Sequence, residues 1–245
     1  MMQLSSTAPA ASPPFTVGGV LHGTFASFRK NPFLFFVLSF LAWLPFMAAI
    51  LFLPSTIASS GGGGILILFL LMVCFQLSQG AVAHVVHQQF QRGTVSFKAA
   101  MVCCCDRIVP LCMTAVLVFL GTKLGLLFLI VPGLVMVCAW AVSIPVCAVE
   151  RLDAVESMVR SSDLTDGRRW RVFALIVFSH VLFGATFIFS ALLAKLSMVK
   201  FLPIISLILL TFAQGIGAVM IAVMYCRLKT AKDGISFRTA TNVFD

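Results

Sequence analysis

The chain has 245 residues, of which 60% are hydrophobic and only 10% charged, with a mean hydropathy of +1.08. A water-soluble domain carries about 25% charged residues, so this composition excludes a globule covered by polar groups and points to lipid as the solvent of the apolar side chains. The net charge of +9 does not signal a nucleic-acid partner, because the 17 cations stand at the ends of apolar runs and form no groove-lining patch.

The chain opens with a Ser/Ala/Pro stretch, Met1 to Pro14, and no Lys or Arg precedes Arg29. With no basic flank and no apolar core it is expected to be a disordered cytoplasmic tail, not a signal peptide. Residues 15–245 are expected to form a single membrane domain. Val17, Val20, Leu21, Phe25 and Phe28 recur at helical spacing and predict a short amphipathic helix before the first span.

A spanning helix needs about 20 apolar residues. Six runs qualify: 32–53, 65–86, 109–130, 134–149, 172–194 and 201–226. Pro54 ends the first, Gly61 to Gly64 reads as a loop, and Val131-Pro132-Gly133 reads as a tight turn. The fourth run is short and contains Pro145. The expected fold is an all-α membrane protein with about six transmembrane helices and short amphipathic helices on the cytoplasmic face.

Those surface helices have their own signals. Ser96 is an expected N-cap for a helix with Phe97, Met101, Cys104, Cys105 and Ile108 on one face. Asp153-Ala154-Val155-Glu156 resembles a capping box with Asp as the cap. Phe237, Ala240, Thr241 and Phe244 repeat the spacing near the end. Gly93-Thr94-Val95-Ser96-Phe97-Lys98 also resembles Gly234-Ile235-Ser236-Phe237-Arg238; either an internal repeat or the general form of a positive-inside hairpin accounts for it.

All but three of the 17 cations fall in the N-terminal flank, the second-to-third linker, the fourth-to-fifth linker and the tail. The exceptions are Lys123, Lys195 and Lys200. The eight acidic residues fall on the same side. The positive-inside rule then places both termini in the cytoplasm.

Polar residues inside the runs are the candidate sites. Gln76 and His87 share one face of the second run, flanked by Gln79 and His84 and facing Gln214 of the sixth. They form either a polar pathway or interhelical hydrogen bonds. Lys123 is the one charge well inside a run; its stem is long enough to snorkel to the outer headgroups. Gly121 and Gly125 have G-x-x-x-G spacing, and Gly215 and Gly217 offer a second small-residue surface for helix packing. In the fourth-to-fifth linker, Glu150, Arg151, Arg160, Arg168, Arg169, Trp170 and Arg171, with Arg227, form a candidate membrane-edge cluster that contacts anionic lipid. Arg160 or Arg227 is the expected partner of Glu150.

Chemistry finds little support. The eight cysteines contain no C-x-x-C pair, and His84, His87 and Cys103 to Cys105 match no ligand spacing. There is no G-x-S-x-G, H-E-x-x-H or phosphate-loop sequence. No cofactor, metal or catalytic residue is expected.

Leu129-Ile130-Val131-Pro132-Gly133, Pro145 to Glu150, and Arg160-Ser161-Ser162-Asp163-Leu164-Thr165-Asp166-Gly167-Arg168-Arg169-Trp170 carry a resemblance. So do Tyr225 to Lys229, Asp233-Gly234 and Val243-Phe244-Asp245. Together they resemble the membrane domain of bacterial glycerophosphoryl diester phosphodiesterases and the related YciC-like proteins. The resemblance implies a multi-pass inner-membrane protein without the catalytic barrel that some relatives carry. It implies no catalytic or metal-binding residue. The expected function is that of a non-enzymatic membrane scaffold or partner- and lipid-binding module, possible as a homo-oligomer or with a membrane-protein partner. The alternative is a small transporter with its pathway along the second span.

Overall fold

The computed structural model describes residues 15–44, 47–48, 61–92, 95–195 and 202–233. The helices in chain order are α1 (Val17–Lys30), α2 (Pro32–Leu41), α3 (Gly61–Arg92), α4 (Phe97–Asp106), α5 (Ile108–Phe128), α6 (Ile130–Ala139), α7 (Ser143–Glu150), α8 (Ala154–Thr165), α9 (Arg169–Lys195) and α10 (Leu202–Asp233). The protein is an all-α membrane protein. Among the described residues five stretches are long and apolar enough to span a bilayer: α3, α5, α6 with α7, α9 and α10. The expected first span survives as the shorter apolar α2; its remainder lies largely outside the described residues, as do the N-terminal tail, Lys200, both partners of the repeat in part, and the helix expected near Phe237.

Three boundaries differ from expectation. Gly61 to Gly64 is helical, not a loop. In hydrocarbon a backbone group without a helical partner has no water to turn to, so the helix extends over residues that would fray in solution. The turn at Val131-Pro132-Gly133 lies instead at Leu129, which is extended (φ −153°, ψ 130°). Pro132 then falls in the first turn of α6, where its missing N–H costs nothing. The fourth span, expected as one run over 134–149, breaks at Trp140 to Val142, and Pro145 occupies the first turn of α7.

The breaks are saturated locally. The Ser161 hydroxyl of α8 accepts from the Val142 amide at 3.3 Å and donates to the Ala139 carbonyl at 2.7 Å. Inside the spans, hydroxyls donate back to the preceding turn, as Thr114 does to Pro110 O and Thr211 to Leu207 O, both at 2.7 Å.

α3 and α10 form the centre. Each has 32 residues, about 48 Å at 1.5 Å per residue, against a hydrocarbon thickness of about 30 Å. α10 packs on α3, α9, α1 and α2, and α3 packs on α7, α4 and α5. Val82, Val85, Val86, Val219, Val223 and Met224 are buried between them. α9 is peripheral: only 11% of its most apolar window is buried, and Val181, Phe187, Ile188 and Leu192 face outward, as lipid-facing side chains do.

The amphipathic helices pack inward through small residues. α1 buries Val20, Gly23, Thr24 and Ser27 and leaves Phe25 exposed. α4 buries Ala100, Cys103 and Cys104 while Cys105 and Ile108 stay exposed. Ser96 caps α4 by accepting from Ala99 N. Asp153 occupies the N-cap of α8 but makes no side-chain cap bond; its carboxylate instead lies 3.8 Å from Arg107.

Candidate functional site

The arginine-rich segments gather at one end of the bundle. There Glu150, the last residue of α7, is held from three directions. Its Oε1 accepts from the Tyr225 hydroxyl and from Lys229 Nζ, both at 2.9 Å, and its Oε2 accepts from Arg160 Nε at 3.3 Å. Tyr225 and Lys229 stand one turn apart on α10, which puts both on the face turned to Glu150. Arg160 also reaches Asp163 at 3.3 Å and Asp233 at 2.5 Å, and Lys232 pairs with Asp163. This clasp ties α7, α8 and α10 together. The hydrogen bond from Lys232 holds the Asp163 carboxyl below the usual carboxylate range, with the charges of Lys232 and Arg160 adding to it.

Of the two expected partners of Glu150, Arg160 is the one it meets. Arg227 lies against α1, where a methyl on Gly19 would fall 2.9 Å from its guanidinium. The remaining basic residues are spoken for by the protein. Arg171 donates to Phe15 O at 2.8 Å, Arg168 to Ala231 O at 3.4 Å, and Arg169 pairs with Asp166 at 3.5 Å. Arg151 takes the left-handed conformation (φ 59°) that ends α7, and its carbonyl accepts from Arg107. Trp170 is 84% exposed. Because Arg171 holds Phe15 and Arg160 holds Asp233, the first and last described residues lie at the same end.

The polar stripe of α3 winds around the helix. Helical twist sends its members to different neighbours. Gln214 Nε2 donates to Ser78 Oγ at 3.2 Å, not to Gln76 or Gln79. His84 is bonded to Gln88 within α3 at 3.1 Å, and His87 lies towards the Glu150 clasp. Gln76 and Gln79 turn the other way.

The glycines pack helices within the chain. A methyl on Gly133 would fall 2.6 Å from Leu126 N, and one on Gly125 would fall 3.3 Å from Gly133 Cα, so α5 and α6 touch backbone to backbone. Gly121 lies under the Trp140 ring. Gly215 receives Ser39 of α2, and Gly217 receives Ser179 of α9.

Gln76 and Gln79 open onto a cleft of about 830 Å³. Its walls are α3, α5 and α9, and its floor is α6, α7 and α10. Thr122, Lys123, Trp140 and His180 also line it. The cleft exists because α9 leans on α10 and α6 and makes little contact with α3 or α5. Counting along the helices at 1.5 Å per residue, Gln79, Lys123 and His180 stand about 17–22 Å from the arginine-rich ends of their helices. With the hydrocarbon edge set at those ends, that distance falls inside a layer of about 30 Å.

Lys123 is an exposed residue of α5, five residues before its end at Phe128. Its ammonium turns back over the Phe119 ring, 5.7 Å from the centroid. Phe119 is one turn nearer the arginine-rich end, the direction in which helical side chains lean. His180 Nδ1 is 2.8 Å from Ile176 O; a carbonyl only accepts, so Nδ1 carries the proton and donates.

Among the described residues no three His, Cys, Asp or Glu side chains converge as a metal site. Burial, reinforced by Cys103 and Cys105, pushes the Cys104 thiol up to about 12, far from thiolate chemistry at neutral pH. Thr122, Trp140 and His180 escaped notice as site residues because they belong to three different runs. Tyr225 and Lys229 had a weak signal: the chain's single tyrosine, one helical turn from a lysine.

No family model, curated protein or solved structure matches this chain.

Proposed function

We propose that this chain is a non-enzymatic membrane module that binds a lipid within the bilayer. The observation that carries this reading is the cleft at membrane depth: mostly apolar walls with Gln76, Gln79, Lys123 and His180 converging on it. Its volume is that of a small-molecule site, about 300–1,000 Å³. Polar and charged side chains at membrane depth mark sites of function by default. The arginine-rich end faces the cytoplasm in this reading, on the strength of the positive-inside rule. A bacterial inner membrane and kinship with the YciC-like membrane domains rest on the sequence resemblance. A lateral cleft favours lipid binding over transport along α3, because the polar residues of that helix divide among three neighbours.

Native mass spectrometry of the full chain released from detergent tests the reading. The wild type should retain a phospholipid, and Val118→Phe, which fills the cleft, should lose it. Equal retention by both, or none by the wild type, overturns the proposal.

A further inference from the structure

We infer that the cleft selects an acidic amphiphile, with Lys123 as the residue that recognises its negatively charged head. This rests on the lipid-binding reading above and adds the chemical class of the ligand.

An ammonium inside hydrocarbon is costly, about 2.5–3.5 kcal/mol at the very centre on insertion scales, and Lys123, five residues from the end of α5, bears part of that cost. A lysine escapes that cost by snorkelling, but this one is folded back over Phe119. The ring offsets part of the cost, about 0.5–1 kcal/mol at an exposed site. No carboxylate lines the cleft. The described acids, among them Glu150, Asp163 and Asp233, lie at the arginine-rich end and are engaged there with Arg160, Lys229 and Lys232. The complementary charge is therefore one that a ligand brings.

The neighbours of Lys123 suit the rest of such a ligand. The amides of Gln76 and Gln79 supply N–H donors to an oxyanion. The Thr122 proton is spent on Val118 O at 2.7 Å, so that hydroxyl adds no competing demand for an acceptor. Trp140, Ile65 and Phe69 give apolar wall for a hydrocarbon chain. The mouth lies between α9 and the α3–α5 pair, whose outer faces are the lipid-facing ones. Entry is sideways from the bilayer, not along an aqueous path, and that favours an amphiphile over a free anion.

Trp140 is a built-in reporter. The chain has three tryptophans, so a Trp43→Phe, Trp170→Phe background leaves Trp140 alone. The full-length chain is placed in phosphatidylcholine bilayers containing a small fraction of brominated lipid, either brominated phosphatidylglycerol or brominated phosphatidylcholine. The acidic lipid should quench Trp140 at a concentration about tenfold lower, the worth of one charge contact of about 1.4 kcal/mol. Lys123→Gln should abolish that preference and Lys123→Arg should keep it, while an unchanged thermal-unfolding midpoint in detergent shows that each variant is folded. Quenching without charge preference overturns the inference and leaves the lipid-binding reading standing. No quenching by either lipid removes both. Loss of the preference on adding millimolar inorganic phosphate assigns the site to a free anion and overturns the amphiphile.

Discussion

Ser161 saturates both sides of a helix break with one hydroxyl, taking the Val142 amide at 3.3 Å and giving its own proton to Ala139 O at 2.7 Å. Ser161 is itself fully buried, so water cannot replace it. Ser161→Ala leaves the Val142 amide without its partner, while Thr165 retains a longer contact with Ala139 O at 3.5 Å. A buried donor left unpaired costs about 1–3 kcal/mol. Equilibrium unfolding in mixed micelles should show a loss of that size; an unchanged midpoint would mean the break closes on itself.

The Glu150 clasp should behave as a partly buried ion pair. Glu150 and Lys229 side chains are 15% and 17% exposed. Glu150→Ala takes the carboxylate from Lys229 and the Tyr225 hydroxyl, while Arg160 keeps Asp163 and Asp233, and breaking such a pair costs about 3–5 kcal/mol. Tyr225→Phe removes the hydrogen bond to Glu150 at 2.9 Å and a longer one from Lys229 at 3.3 Å but leaves the Glu150–Lys229 pair, at about 1.5–3 kcal/mol for a hydrogen bond to a charged group. The expected order in thermal unfolding in detergent is wild type, then Tyr225→Phe, then Glu150→Ala. Reversal of the two variants would contradict the geometry.

Backbone contact between α5 and α6 makes Gly133 intolerant of a single methyl group. The atoms it would strike, Leu126 N and Cα and Gly125 C, lie at 2.6–2.8 Å and belong to the main chain, which cannot rotate away. Gly133→Ala should cost about 1–3 kcal/mol or more, as overpacking does. Gly184→Ala is the control, because a methyl there meets nothing within 4 Å. Equal melting temperatures for the two variants would refute the contact.

Acid should loosen the clasp at Asp163. Its carboxyl is held below its ordinary value of 3.8 by Lys232. A carboxyl lowered in the folded state stabilises that state above its ordinary value and loses the contribution as pH falls through the lowered one. The pairing is therefore complete at neutral pH and weakens below about pH 4. Asp163→Asn should flatten the acid limb of a pH-dependent unfolding curve relative to wild type, and superimposable curves would count against it. The side chain is half exposed, so the difference is small and shrinks with salt.

The sequence alone determined the class of solvent, the presence of long apolar helices and the gathering of arginines at one end, while α3 and α10 run six and seven residues past their expected ends. These follow from properties that act residue by residue: apolar length, charge and turn chemistry. Tertiary structure decided the rest. Which face of α3 Gln76 shares with Lys123, why Gln214 meets Ser78, and that Lys229 and Tyr225 hold Glu150 all depend on helix rotation and on residues as far as 136 positions apart. In a bilayer the apolar signal that marks a span is nearly uniform around its circumference, so hydrophobic patterning cannot say which face turns inward. Small residues, buried hydroxyls and ion pairs set that rotation, and their partners are fixed only when the helices meet.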